Sequence, residues 1–134
     1  MLRKTYLLLA SLITATSVLA EPVYLNCSYE NEDGKVVKFQ VKADESNGSI
    51  THSYENGFTF NADGFFAADK ITYKSVNNAG GLKITQQYQI SRIDLSLLYS
   101  LVAAPPAEYA KDIETVTSAE VGKCEIIEIK GRAF

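Results

Sequence analysis

Few residues in this chain could carry chemistry. His52 is the only histidine. It alternates with Ile50 and Tyr54, which puts it on the apolar side of a short strand, with no nucleophile or orienting acid announced nearby. Arg92 stands beside apolar Ile93 and two positions before Asp94. On a regular strand Arg92 and Asp94 share a face. That suggests an Arg92–Asp94 or Arg92–backbone pairing that fixes a bend, or an anion-binding guanidinium at a barrel mouth. Glu32-Asp33 and Asp44-Glu45 fall in turns and read as solvated acids. A two-carboxylate hydrolase needs its acids to meet only in space, but no spacing marks such a pair. Gly-rich phosphate loops, HExxH, GxSxG and CxxC do not occur. The sequence therefore predicts no catalytic residue, no metal ligands and no cofactor.

Aromatic side chains are the other resource. Phe58, Phe60, Phe65 and Phe66 crowd into one short stretch, Tyr73 and Tyr88 lie on strand faces, and Tyr109 falls in a later loop. They are expected to be core. In a wide barrel Phe39, Phe58, Phe60, Tyr73 and Tyr88 would line a cavity for a small apolar ligand. Left exposed, a subset would form a protein-binding patch.

The chain's two cysteines, Cys27 and Cys124, lie near opposite ends of the sequence. Arg3 and Lys4, the apolar run Leu7–Ile13 and Val18-Leu19-Ala20 form a signal-peptide pattern over residues 1–20. Residues 21–134 are then one exported domain, periplasmic or secreted, with a Cys27–Cys124 disulfide. The apolar run is too short to span a membrane, and no second run follows. Losing Arg3 and Lys4 leaves the remainder more acidic than the chain's net charge of −3. With no basic block, nucleic acid is excluded as a partner.

The elements that must position these residues are written in strand code. In Leu82–Val102 the apolar positions are even up to Ile90 (Leu82, Ile84, Tyr88), then odd from Ile93 (Leu95, Leu97, Tyr99, Leu101). One strand cannot keep both sets on one face, so Ser91-Arg92 marks a bulge or a corner. Val23–Tyr29 and Val37–Ala43 alternate about Asp33-Gly34, the cleanest hairpin. Asn47-Gly48, Asn56-Gly57 and Asp63-Gly64 predict tight reversals between short strands. Asn77–Gly81 reads as a loop. Ala103–Val121, opening on Pro105-Pro106, reads as a long excursion with room for a short helix. Gly122–Ile129 is the last strand. The fold class is mainly β, a small antiparallel barrel or sandwich of seven or eight strands with a short helix or long loop before the last. Pairing the first and last strands favours closure. The charged Glu128, Lys130 and Arg132 before Phe134 argue against an outer-membrane barrel.

Ile90-Ser91-Arg92 closing a strand after Tyr88, with Gly122-Lys123-Cys124 in the last strand, resembles a pattern of small uncharacterised exported β-proteins of Gram-negative bacteria. In size, export and disulfide the chain is also similar to periplasmic inhibitors of lysozyme, which are small β-barrels. Their Ser-Gly-rich inhibitory loop is not matched by Asn47-Gly48-Ser49 or by Asn78-Ala79-Gly80-Gly81, so that likeness is one of architecture. The expected function is an exported, non-enzymatic binding or inhibitor module. It would act on a protein partner through the Ala103–Val121 and Asn77–Gly81 loops. The alternatives are a carrier of a small apolar ligand and a cryptic hydrolase.

Overall fold

The computed structural model describes residues 21–109 and 111–128. The signal-peptide pattern of residues 1–20, the end of the last strand at Ile129, and Lys130, Arg132 and Phe134 lie outside the described residues. Nine strands follow one another: β1 (Val23–Glu30), β2 (Val36–Asp44), β3 (Ser49–Tyr54), β4 (Thr59–Asp63), β5 (Phe65–Phe66), β6 (Lys70–Ala79), β7 (Leu82–Ser91), β8 (Ser96–Ala104) and β9 (Val116–Ile127). All pairs are antiparallel, in the order β4-β3-β2-β1-β9-β8-β7-β6-β5. The sheet's two outer members, β4 and β5, are consecutive in the chain with only Gly64 between them. One bent run therefore serves both edges, and the sheet is a nearly closed up-and-down barrel rather than a sandwich.

That run explains why nine strands stand where seven or eight are expected. Asp63-Gly64 is not a reversal. Gly64 lacks the positive φ of Gly34, Gly48 and Gly57, and its N–H donates to the Gly48 carbonyl. A Cβ there would lie 2.6 Å from the Phe66 ring and 2.9 Å from Ile50. Glycine lets the chain bend over the core and change partners from β3 to β6.

The phase switch at Ser91-Arg92 is a corner. Ser91 Oγ accepts from the N–H groups of Ile93 and Asp94. Asp94 Oδ1 accepts from the Ser96 N–H and hydroxyl. Leu95 takes φ 61°, and its carbonyl receives the Cys124 N–H at 2.8 Å. Tyr88 and Ile90 of β7 and Leu97 and Tyr99 of β8 then all point inward. Ile93, expected with the inward set, sits in the turn instead and is 82 % exposed.

The late excursion is shorter than its Ala103–Val121 bounds. β8 continues to Ala104, and the β-branched Val116-Thr117 starts β9, leaving residues 105–115, whose described part holds one 3₁₀ turn, Ala107–Tyr109. Likewise β6 reaches Ala79, so the Asn77–Gly81 loop shrinks to the Gly80-Gly81 turn. No described helix is long and apolar enough to cross a membrane.

The ring closes where β1 meets β9. Cys27 and Cys124 are direct cross-strand partners with Cα atoms 4.0 Å apart, and they form the expected disulfide. Beside it, Gly122 pairs with Tyr29, and a Cβ on Gly122 would fall 2.1 Å from the Ser28 carbonyl oxygen. The Gly122→Ala variant should therefore part the two strands and cost about 3 kcal/mol or more. The expected readout is a lower urea midpoint with an unchanged slope; an unchanged midpoint would mean that β1 and β9 do not approach this closely.

Candidate functional site

Four regions of the barrel could act on another molecule: its filled centre, the end beside the disulfide-proximal corner, the opposite end, and the outer face of β9, β1, β2 and β3. The centre belongs to the alternating inward residues. Leu25, Phe39, Val41, Ile50, Tyr88, Ile90 and Leu97 are all nearly inaccessible, and His52 is completely buried among them. The His52 ring stacks on Phe39 with centroids 4.3 Å apart and on Phe60 at 4.6 Å, while Tyr73 stacks on Tyr88 at 4.9 Å. Rings that close occupy the barrel axis, so Phe39, Tyr73 and Tyr88 are core and do not line a central cavity.

His52 Nδ1 lies 2.7 Å from the Tyr73 hydroxyl, and its Nε2 has no hydrogen-bond partner among the described residues. Protonating the ring would place a cation and a second N–H among aromatic faces, and burial accordingly holds its pKa down to about 3. Burial likewise pushes the phenols of Tyr29, Tyr73, Tyr88 and Tyr99 upward. Tyr54 and Tyr88 share a hydroxyl–hydroxyl bond of 3.0 Å, and Gln86 Nε2 donates to the Tyr99 hydroxyl.

At the corner end, a mouth of about 310 Å³ is lined by apolar side chains including Leu25, Phe66, Ile71, Ile90 and Leu95. Arg92 stands on its rim, at a barrel mouth as one reading of the sequence has it. Its partner is not Asp94. Nη1 and Nη2 reach the two carboxylate oxygens of Glu45 at 3.2 and 2.9 Å, and Nη1 also donates to the Ala67 carbonyl. Asp94 instead builds the corner, its carboxyl held down to about 2 first by the Ser96 N–H, then by the Ser96 and Ser91 hydroxyls. Glu45 is the residue that sequence reasoning missed: it was expected to be solvated, and its partner lies 47 positions away in the chain. Asp44, its neighbour, keeps to the turn and accepts from Ser46 and Asn47.

At the opposite end the strands are unequal. β6–β7 pairing runs from Tyr73↔Tyr88 out to Ala79↔Leu82, and β8–β9 pairing from Tyr99↔Glu120 out to Ala103↔Val116. On the other side of the barrel, β3 and β4 end within two residues of His52, at Tyr54 and Thr59. Four strands therefore project as a sheet past the aromatic layer, β6 and β7 by about six residues, roughly 20 Å, and β8 and β9 by about four. Both loops singled out in the sequence lie at its tip. Leu82, Ile84, Leu101 and Ala103 line its concave face half-buried, above a rim of Tyr29, Tyr54 and Tyr99. Of the remaining candidates, Phe60 packs against the core, whereas Phe58, at the β3–β4 turn, is 62 % exposed and Tyr109 53 %. Phe58 touches only Tyr54 among the aromatic rings, at 6.0 Å.

A shallow trough of about 570 Å³ also crosses the outer face of β9, β1, β2 and β3. Asn26, Gln40 and Ser53 line it, with Lys38 and Lys123 offset by Glu55 and Glu125, so no single charge dominates.

No protein-family model, no curated protein and no solved structure matches the chain.

The buried imidazole generates a pH prediction. The unfolded chain protonates His52 below its ordinary pKa of about 6.5, whereas the folded protein resists until about 3. Stability from this group is thus complete above pH 6.5 and is lost as pH falls toward 3. The slope is about 1.4 kcal/mol per pH unit at pH 4.5–6, where carboxylates contribute least. The His52→Phe variant should flatten that segment of the stability profile; an unaltered slope would mean the ring is solvated. At the rim, Arg92→Met should cost no more than about 1 kcal/mol, since the ion pair is partly exposed.

Proposed function

We propose that the chain is an exported, non-enzymatic binding module of the inhibitor type, acting on a protein through the projecting end of the barrel. One observation carries this reading. Beyond the aromatic layer the inner face of the projecting sheet has no barrel core to cover, yet it keeps an apolar strip along β7 and β8, with Leu82, Ile84, Leu101 and Ala103 half-buried and Val116 60 % exposed, between the polar Ser75 and Asn77 of β6 and Ser118 and Glu120 of β9. A water-facing surface would ordinarily alternate to polar residues there. Tyr29 and Tyr54, partly buried at its base, add the amphipathic rings that protein interfaces favour. Pro105 and Pro106 stiffen the neighbouring loop, whose Tyr109 and Ile113 also stay about half exposed. The sealed position of His52, the sole histidine, supports a non-enzymatic role. The disulfide suits an oxidising compartment.

A second reading, a carrier of a small apolar ligand, is favoured by the corner-end mouth, whose volume lies at the lower limit for ligand pockets. Arg92 would then receive an anionic head group by exchanging it for Glu45.

Native mass measurement of the protein isolated from its own compartment separates the two. The binding module is expected to appear as the bare chain or with a protein partner. Its cross-links should map to Leu82–Ile84 and Leu101–Ala103, and Ile84→Lys should abolish them while leaving stability within about 0.5 kcal/mol. Retention of a molecule of a few hundred daltons, lost in Leu95→Trp and kept in Ile84→Lys, would overturn it in favour of the carrier.

A further inference from the structure

We propose that the upper edge of β9 accepts an extended, basic segment of a partner as an added strand. This rests on the reading of the projecting end as a binding surface and supplies the partner's chemistry.

β9 is paired unequally along its length. Residues Val116–Lys123 pair with β8, but only Gly122–Ile127 pair with β1. Alternate residues of a strand direct their backbone groups to opposite sides. The Cys124 N–H points to the β8 side, at the Leu95 carbonyl, so the even residues of β9 serve β8 and the odd ones face β1. Above Gly122, β1 is no longer there. The N–H and C=O groups of Thr117 and Ala119 therefore face an open edge and have no strand partner among the described residues.

The neighbouring chain does not fill the gap. β1 ends at Glu30, and the turn after it is closed on itself. The Asn31 N–H donates to the Lys35 carbonyl, and Asn31 Oδ1 takes the N–H groups of Asp33 and Lys35. Of the usual guards of a bare edge only one charge, Glu120, is present. Val116–Val121 contains no lysine, arginine or proline, whereas the other open edge of the projecting sheet, on β6, carries Lys74 and the polar Asn77-Asn78. An unpaired edge of this length, with no cation or proline on it, suits an extended backbone, whose main-chain hydrogen bonds would supply the affinity.

Charge selects the kind of segment. Glu120 lies on the edge strand itself, close enough to Tyr29 and Tyr99 to act on both phenols. Glu30, Glu32 and Asp33 belong to the adjoining turn, with Lys35 the one cation among them, and Glu114 precedes the strand. A second copy of this chain would bring the same carboxylates to the junction, like against like. A lysine- or arginine-bearing strand would meet them with opposite charge.

The test is selection of random ten-residue peptides displayed against the immobilised protein, followed by affinity and amide-exchange measurements on those enriched. Enriched peptides should carry an excess of Lys and Arg and slow exchange at Thr117 and Ala119. They should bind Ala119→Pro about tenfold or more weakly, because proline removes the donor and obstructs the edge. Thr117→Pro should act alike, so a folding defect in one variant leaves the other, and the amide exchange of the unaltered protein, to decide. Neutral or acidic peptides, no enrichment, or undiminished affinity in both proline variants would overturn the proposal. Peptides indifferent to the prolines but lost in Ile84→Lys would overturn the edge while leaving the concave surface standing. A dimer that Ala119→Pro dissolves would assign the edge to self-pairing instead.

Discussion

Closing a meander of short strands into a ring requires the first and last strands to meet edge to edge, and here that meeting rests on two adjacent features. The Cys27–Cys124 bond joins direct cross-strand partners. Gly122 next to it lets the β1 backbone come closer than any side chain would permit. A bond spanning 97 positions removes much of the unfolded chain's freedom, by roughly 4–5 kcal/mol in the chain-entropy picture. Without it, β1 and β9 would each present a bare edge to solvent, and the inward alternation of every other strand would face a gap. The second seam, at Gly64, follows the same logic: where the chain must pass close over Ile50 and Phe66, the side chain is omitted.

Inside the ring, volume is supplied by rings rather than by aliphatic branches. His52 behaves there as a flat, neutral spacer between Phe39 and Phe60, fixed in rotation by the Tyr73 hydroxyl. Polarity deep in the barrel is confined to that contact, and the Tyr54–Tyr88 and Gln86–Tyr99 bonds lie nearer the projecting end. The binding surface proposed for that end thus stands on a layer whose ring orientations are set from beneath. The acidic edge of β9 borders the same surface, so both contacts attributed to a partner would lie on one side of the molecule.

Much of this was legible because a period of two survives in the sequence wherever one strand face is buried. The inward positions of β1, β2 and β3 and the reversals at Gly34, Gly48 and Gly57 followed from alternation and turn chemistry alone, and the disulfide from a lone pair of cysteines in a chain read as exported. The reversal of phase about Arg92 was visible too, but alternation cannot separate a bulge from a corner, and it miscounted Ile93 because a turn residue has no face. Asp63-Gly64 has the letters of a hairpin and forms a bend, since what matters there is space over Ile50 rather than a positive φ. Phe58 was miscast as core because a turn tip can hold an aromatic residue that the barrel does not need. The Arg92–Glu45 pair was illegible: it joins two turns whose meeting depends on how the barrel closes, and neither turn has a periodicity to betray it. The projecting sheet was hidden for a related reason. Strand length is written in the chain, but the inequality of lengths around a ring appears only once the ring is assembled.

The partnership of β1 with β9 also has a consequence in time. Every other strand finds its neighbour a few residues along the chain, so the hairpins can form as the polypeptide appears. β1 alone must hold one side unsatisfied until the last strand is available, because its partner is the most distant in the fold. Loop closure over such a span is slow relative to hairpin formation. The disulfide likewise waits on the last strand, because Cys124 is 97 positions from Cys27. Completion of the barrel therefore comes after the hairpins, when the most distant pair of strands meets.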